Sequence, residues 1–322
     1  MLLKKIEESQ NIIISAHVNP DGDAIGSGLS LLLALKNRYS DKSIRFILED
    51  DVPDNMKFLE GIENVEKLQD VQNAEGNPPV DLFITVDSAT FQRIGKTGEL
   101  RGNAFLVNID HHISNPLFGD INIVREASST SEIMFFILRD MLKVEIDKKT
   151  AEAIYTGVIT DTGNFKYEST TKETFYVGGE LIEKGIDRVK ISDAVYKNKS
   201  LGAIKALGKA LFEMKIIPEK KLVYFILKRD FIEQEKLKKD ETEGIVENLL
   251  EYKDCDVSVF LREIENGKVK GSMRSKNKID VNEIASVFGG RNKTNRKDWL
   301  AFICTDTTLS EEEIIRKIAE KI

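Results

Sequence analysis

Three histidines occur in the 322-residue chain, and each lies beside carboxylates at the end of an apolar, β-branched run. His17-Val18-Asn19-Pro20-Asp21-Gly22-Asp23 follows the run Asn11 to Ala16 and precedes an amphipathic stretch. Its Pro and Gly let a tight loop bring one imidazole and two carboxylates into the same space. Asp110-His111-His112 follows Val107-Asn108-Ile109, Asp87 closes the run Asp81 to Val86, and Asp161 stands where the apolar segment Ala153 to Ile159 meets Gly163. Singly, Asp87 and Asp161 read equally well as helix caps or turn residues. Their weight comes from the set, and burying Asp21 and Asp23 as bystanders would strand two charges. Four separated Asp and two His form a ligand inventory for hard or borderline divalent ions, with no thiolate on offer. Six protein ligands exceed what one catalytic ion takes. Two ions bridged by one carboxylate fit the count, and that arrangement suits in-line displacement at phosphorus. The reaction class that follows is metal-assisted hydrolysis of a phosphoester or phosphoanhydride.

The elements that must hold these residues are alternating strands and helices. Asn11 to Ala16, Ser43 to Leu48, Asp81 to Val86 and Ala104 to Ile109 are buried-strand candidates, and Gly22 to Arg38 is a Leu-rich amphipathic helix. The pattern predicts an α/β fold, a mainly parallel sheet covered by helices on both faces, with the ligand crevice at the carboxyl ends of its strands. Residues 71–79 read as a loop from their Gly, Asn and Pro content. From Ser128 to about Tyr196 the period is helical, and Ser-Ser-Thr-Ser-Glu at its start resembles a capping box. The second half restarts with a strand at Leu222 to Leu227 and a helix near Thr242 to Leu250. A hairpin turning at Glu265-Asn266-Gly267 follows, then a helix at Val281 to Val287, a strand at Trp299 to Cys304 and a last helix at Ser310 to Ile322. The expected organisation is a catalytic domain over 1–190, a helical connector over 191–215 and a smaller α/β domain over 216–322, facing the first across a cleft.

Composition excludes some classes of function. At about 150 residues per domain the length suggests two domains. Apolar residues make up 41% and charged residues 31%, with no run near the roughly 18 apolar residues of a membrane span. Met1-Leu2-Leu3-Lys4-Lys5-Ile6-Glu7-Glu8 turns acidic before a signal-peptide core forms, so a cytoplasmic location without membrane partners is expected. Cys255 and Cys304 each stand alone in apolar runs and read as buried thiols. The net charge of -7 argues against non-specific coating of nucleic acid, yet residues 268–297 carry +7. That confined basic stretch suits ligands of a few nucleotides better than long polymers. Phe288 and Trp299 flank it, and core packing is the favoured reading for both.

In order and spacing, His17 to Asp23, Asp87, Asp110-His111-His112 and Asp161 resemble the four motifs of the DHH phosphoesterase family, in the branch that degrades very short oligoribonucleotides and dephosphorylates 3'-phosphoadenosine 5'-phosphate. The resemblance covers nearly the whole chain, with a DHH-associated domain at its end. It implies two divalent ions, Mn ahead of Mg or Co, one held by His17, Asp21 and Asp87 and the other by Asp23, Asp87, His111 and Asp161. It also implies that His112 faces the substrate phosphate and that Asp110 orients the His pair. Ser129 and Thr130 become candidate phosphate donors, with plain helix capping as the equal alternative. In the second domain Gly271-Ser272-Met273-Arg274-Ser275 matches the strand bearing a substrate arginine. The family's Gly-rich loop continues to a pocket histidine, whereas this chain reads Phe288-Gly289-Gly290-Arg291-Asn292-Lys293. Arg274, Ser275, Gly289, Gly290 and Arg291 are the implied substrate contacts. The implied activity is hydrolysis of short RNA to 5'-mononucleotides, with a homodimer as a candidate assembly. Alternatives are a hydrolase specific for a small bisphosphorylated nucleotide or linear signalling dinucleotide, and a nucleotide-binding regulator without turnover.

Overall fold

The β-branched runs become the inner strands of a six-stranded sheet in the computed structural model. This describes residues 1–73, 76, 78–238, 241–264, 268–276, 279–286, 288, 299–304 and 309–322. In chain order the first elements are α1 (Leu2–Glu8), β1 (Asn11–Ser15), α2 (Gly22–Arg38), β2 (Ser43–Leu48), β3 (Val65–Lys67), α3 (Leu68–Asn73) and β4 (Leu82–Val86). Then come β5 (Phe105–Asp110), β6 (Ile121–Val124), α4 (Thr130–Phe136), α5 (Lys148–Asp161), α6 (Lys172–Glu183) and α7 (Arg188–Tyr196). The strands lie in the order β3-β2-β1-β4-β5-β6, and neighbours run parallel. The chain winds outward from β1 to β3 and then crosses back to place β4 beside β1, so the order reverses between those two strands. A crevice opens at such a reversal, outside the carboxyl ends of the strands. His17 and Asp87 follow β1 and β4, the two strands that flank it.

Packing explains why these strands are apolar at nearly every position. All five residues of β4 are buried, as expected of a strand covered on both faces. Ile12 and Ile14 join Leu29 and Leu32 of α2 and Ile154 and Val158 of α5 in one core. Ile13, Phe83 and Leu106 form a second core on the opposite face with Leu68 and Ile94. Helices α2 and α5 pack against each other with glycine at the closest point. A Cβ on Gly26 would lie 2.5 Å from the Ala153 carbonyl oxygen and 2.8 Å from the Gly157 nitrogen.

The chain folds as two compact units, Met1–Asn198 and Lys199–Ile322. The second contains α8 (Leu201–Glu213), β7 (Lys215–Ile217), β8 (Leu222–Leu227), α9 (Arg229–Gln234), α10 (Ile245–Leu250), β9 (Val257–Glu263), β10 (Val269–Ser275), α11 (Val281–Ser286), β11 (Trp299–Cys304) and α12 (Glu311–Ala319). Its sheet has the order β11-β10-β9-β8-β7, with β8 and β9 parallel and the other pairs antiparallel. The α/β class expected from the sequence is therefore found in both units. Along β10 the burial alternates, so Gly271, Met273 and Ser275 face the core while Ser272 and Arg274 are half-buried on the other face.

Several expectations need correction. The segment 71–79 is not all loop, because α3 runs to Asn73; residues 74, 75 and 77 lie outside the described residues. The strand expected from Asp81 begins at Leu82, and the Asp81 carboxylate accepts the backbone N–H groups of Gln10 and Asn11 at 2.9 Å. Helix α4 has half a capping box: Ser129 Oγ accepts from the Glu132 N–H at 3.0 Å. The Glu132 carboxylate instead accepts the hydroxyls of Ser128 and Thr174, at 2.5 and 2.7 Å, which ties α4 to the start of α6. Both cysteines are buried, as is Phe288 in the core of the second unit. The hairpin turn at 265–267, Gly289, Gly290 and Arg291 and the rest of the basic loop to residue 298 lie outside the described residues, as does the side chain of Trp299. No helix among the described residues is long and apolar enough to cross a membrane.

Candidate metal centre

The loop after β1 enters α2 through Asp21, whose Oδ1 caps the helix by accepting from the N–H groups of Asp23 and Ala24 at 3.0 and 3.1 Å. Its other oxygen lies 3.7 Å from His17 Nε2. A single residue thus fixes the helix start and faces the imidazole. His17 donates from Nδ1 to the Val18 carbonyl at 2.9 Å, and His111 from Nδ1 to that of Ala127 at 3.2 Å. A carbonyl only accepts, so each ring carries its proton on Nδ1 and offers the Nε2 lone pair when neutral.

Asp87 stands at the centre. Its backbone adopts φ +50°, a left-handed conformation uncommon outside glycine and characteristic of sites where geometry outranks local comfort. Oδ2 lies 3.4 Å from His17 Nε2, while Oδ1 lies 3.6 Å from His111 Nε2. His111 Nε2 is also 3.2 Å from Asp161 Oδ2. Ligand atoms of His17, Asp21 and Asp87 converge as one group able to hold an ion, and those of Asp23, His111 and Asp161 as another. Asp87, His111 and His112 form a third such group. His112 differs from the other two histidines because its Nδ1 lies 2.7 Å from Asp110 Oδ1. Asp110 is fully buried and accepts on its other oxygen from Asn115 Nδ2 at 2.7 Å. The carboxylate holds the Nδ1 proton of His112, so Nε2 is the ring atom with which His112 meets another group.

Crowded carboxylates shift one another. Burial pushes Asp23 up to about 7, with the Asp87 carboxylate adding to the effect. Burial and the charge of Asp23 likewise hold Asp161 well above the usual carboxylate range. Burial works against the charged form of His17, but hydrogen bonds to Asp21 and Asp87 outweigh it and hold the imidazole at about 10. For Asp87 burial also opposes the charge, and the surrounding histidines overcome it and keep the carboxyl below its ordinary value. A cluster with this surplus of buried carboxylate is stabilised by cations. The donor set therefore fits divalent ions, with oxygen and imidazole nitrogen and no sulfur.

Asp23 is fully buried and accepts from the backbone N–H groups of Thr130 at 2.6 Å and Ser131 at 2.8 Å, the first turn of α4. Of the residues the sequence offered to a phosphate, Ser129 and Thr130, only Thr130 supplies one of these N–H groups. Ser129 caps the helix, and the Thr130 hydroxyl donates to Asp87 Oδ1 at 3.2 Å. In the second unit Arg274 meets Glu247 Oε1 through Nε at 2.7 Å and Nη2 at 2.5 Å, and donates from Nη1 to the Met273 carbonyl at 2.8 Å. Ser275 is buried and its hydroxyl donates to the Ile279 carbonyl at 2.9 Å, so it shapes the strand end. Sequence reasoning did not find Asn115, Glu247 or Gly26. Asn115 follows His112 by three residues and was the most accessible of these, as a polar residue directly after a motif.

The model of the DHH family, N-terminal domain, matches residues 11–158, and the DHHA1 domain matches residues 219–294. The bifunctional oligoribonuclease and PAP phosphatase NrnA of Thermus thermophilus is 33% identical over 290 residues, covering 90% of this chain and 83% of that protein. The chain belongs to the DHH family. Another DHH relative, the bifunctional oligoribonuclease and PAP phosphatase NrnA of Bacillus subtilis, is 30% identical over 292 residues, covering 90% of this chain and 88% of the relative. The crystal structure of an exopolyphosphatase-related protein from Bacteroides fragilis matches this DHH chain with a TM-score of 0.88 and 31% identity, covering 99% of this chain and 94% of that one.

Proposed function

We propose that this chain is a two-metal phosphoesterase that hydrolyses very short oligoribonucleotides to 5'-mononucleotides and removes a phosphate from 3'-phosphoadenosine 5'-phosphate. One observation carries the two-ion reading: the two oxygens of Asp87 face different ligand groups, Oδ2 toward His17 and Oδ1 toward His111. His17, Asp21 and Asp87 would hold one ion, and Asp23, Asp87, His111 and Asp161 the other, with Mn favoured over Mg or Co. The names of the relatives from Thermus thermophilus and Bacillus subtilis support the substrate class. When bound, such a pair of ions supplies Lewis acidity toward a phosphoryl group and lowers the pKa of water.

The protein's own part is orientation and proton placement. Carbonyls of Val18 and Ala127 fix the Nδ1 protons of His17 and His111 and keep both Nε2 atoms available. Asp110, held by Asn115, fixes His112 in the same sense. In its imidazolium form, with Nδ1–H held by Asp110, His112 would donate from Nε2 to a substrate oxygen, either stabilising charge on the phosphoryl group or giving the Nε2 proton to the leaving-group oxygen. The planar fork of Arg274 binds a substrate phosphate, with the carboxylate of Glu247 holding its orientation. Gly289, Gly290 and Arg291 are further substrate contacts in this proposal, on the strength of the sequence motif. The enzyme acts in the cytoplasm, and a homodimer is its candidate assembly.

The test is a substrate panel with purified protein and Mn: RNA of two to five nucleotides, a long RNA, 3'-phosphoadenosine 5'-phosphate and pyrophosphate, with chromatography of the products. Fast release of mononucleotides from the shortest RNAs is expected. Turnover of pyrophosphate alone would overturn the substrate reading. No turnover of any substrate would overturn the enzymatic one.

A further inference from the structure

The two ion-binding groups share more than Asp87. Thr130 touches both: its backbone N–H donates to Asp23 Oδ2 at 2.6 Å, and its hydroxyl donates to Asp87 Oδ1 at 3.2 Å. In the two-ion reading Asp23 would serve one ion and Asp87 both. Thr130 is fully buried, so neither bond competes with bulk water. Among the described residues it is the one neutral side chain that donates a hydrogen bond to the Asp87 carboxylate. Asp87 needs such a partner, because a carboxylate rotates readily about its last bond and keeps Oδ2 toward His17 and Oδ1 toward His111 only when that rotation is set. A hydroxyl donating to Oδ1 fixes that rotation. The N–H bonds from Thr130 and Ser131 leave Asp23 Oδ2 and Oδ1 each one direction short of full solvation, as an ion ligand requires.

We infer that Thr130 is a positioning residue for the metal pair, registering Asp23 and Asp87 from one point at the start of α4, and that it is not a phosphate donor. This rests on the two-ion reading above. The network behind it supports a fixed position: Ser129 caps the same turn, and buried Glu132 ties it to Ser128 and to Thr174 of α6. Partners of this kind behind metal ligands are worth about 10- to 100-fold in metal affinity.

The experiment compares wild type, Thr130→Val and Thr130→Ser by Mn titration of the full chain, read by calorimetry and by the electron paramagnetic resonance of bound Mn. Thermal melts of all three monitor folding. Valine keeps the N–H bond to Asp23 and the shape but loses the hydroxyl, while serine keeps both. About 10- to 100-fold weaker Mn binding by the valine variant is expected. The coupled-pair signal should be lost at low Mn, serine should restore both, and KM for dinucleotide at saturating Mn should stay unchanged. Wild-type Mn affinity in the valine variant, or a raised KM with Mn binding intact, would overturn the inference and return Thr130 to the substrate. A valine variant that does not fold shifts the decision to serine, whose failure to bind Mn like wild type would count against the hydroxyl. Uptake of a single Mn by wild type would overturn the two-ion reading itself.

Discussion

Replacing Gly26 with alanine sets two known effects against each other, and the structure says which wins. Helix propensity alone favours alanine over glycine inside a helix by about 1 kcal/mol. Against this, the new Cβ would lie 2.5 Å from the Ala153 carbonyl oxygen and 2.8 Å from the Gly157 nitrogen, where ordinary contact begins at 3.4 Å. The nearest contact is therefore short by about 0.9 Å, and both obstacles are backbone atoms of α5 that no rotamer change can move. Overpacking costs about 1–3 kcal/mol, here toward the upper end, which leaves a net loss of about 1–2 kcal/mol. For a unit of this size that lowers Tm by about 2–8 °C. The site should feel it too. Asp23 stands one turn before Gly26 on α2 and Asp161 one turn after Gly157 on α5, so separating the helices pulls these two carboxylates apart. Differential scanning calorimetry with and without Mn, together with the Mn concentration for half-maximal activity, reads both consequences. Gly179→Ala in α6 is the control, because a Cβ there meets nothing within 4 Å and propensity alone should raise stability. A Gly26→Ala protein as stable as wild type, with the same Mn requirement, would refute the reasoning.

Two further outcomes are expected. Asp110→Asn should lower kcat about 10- to 100-fold while leaving Mn stoichiometry intact, because both Asp110 oxygens accept and the amide replaces one of them by a donor and removes the charge facing His112; unchanged kcat at saturating substrate would exclude that role. Arg274→Ala should raise KM for phosphorylated substrates about 10- to 100-fold through loss of a charge-assisted fork, and unchanged KM for all of them would remove Arg274 from substrate binding.

Much of the site was legible because its ligands sit at strand ends, where short motifs and local periodicity point to the same edge of a sheet. Helix α2 runs over the residues its pattern marks, and β2 and β8 match as well, since a buried β-branched run admits little else. What stayed hidden depends on distant partners. The Ser129-Thr130 segment carries the composition of a phosphate cradle, but the N–H groups of Thr130 and of the following Ser131 turn to a carboxylate 107 and 108 residues away in sequence. Glu132 fits a capping box until Thr174 is seen beside it. The parallel pairing of β8 with β9 and the Arg274–Glu247 pair likewise arise from the crossover between strands, which no local pattern records.

The division of Asp87 between two ligand groups is tested most directly by counting ions. Wild-type chain equilibrated with Mn and freed of excess should retain two ions per chain, with an exchange-coupled resonance, and should cleave a dinucleotide. Asp87→Asn should retain at most one ion, show no coupling and lose turnover. Two coupled ions and near-normal cleavage in the Asp87→Asn protein would contradict the bridge.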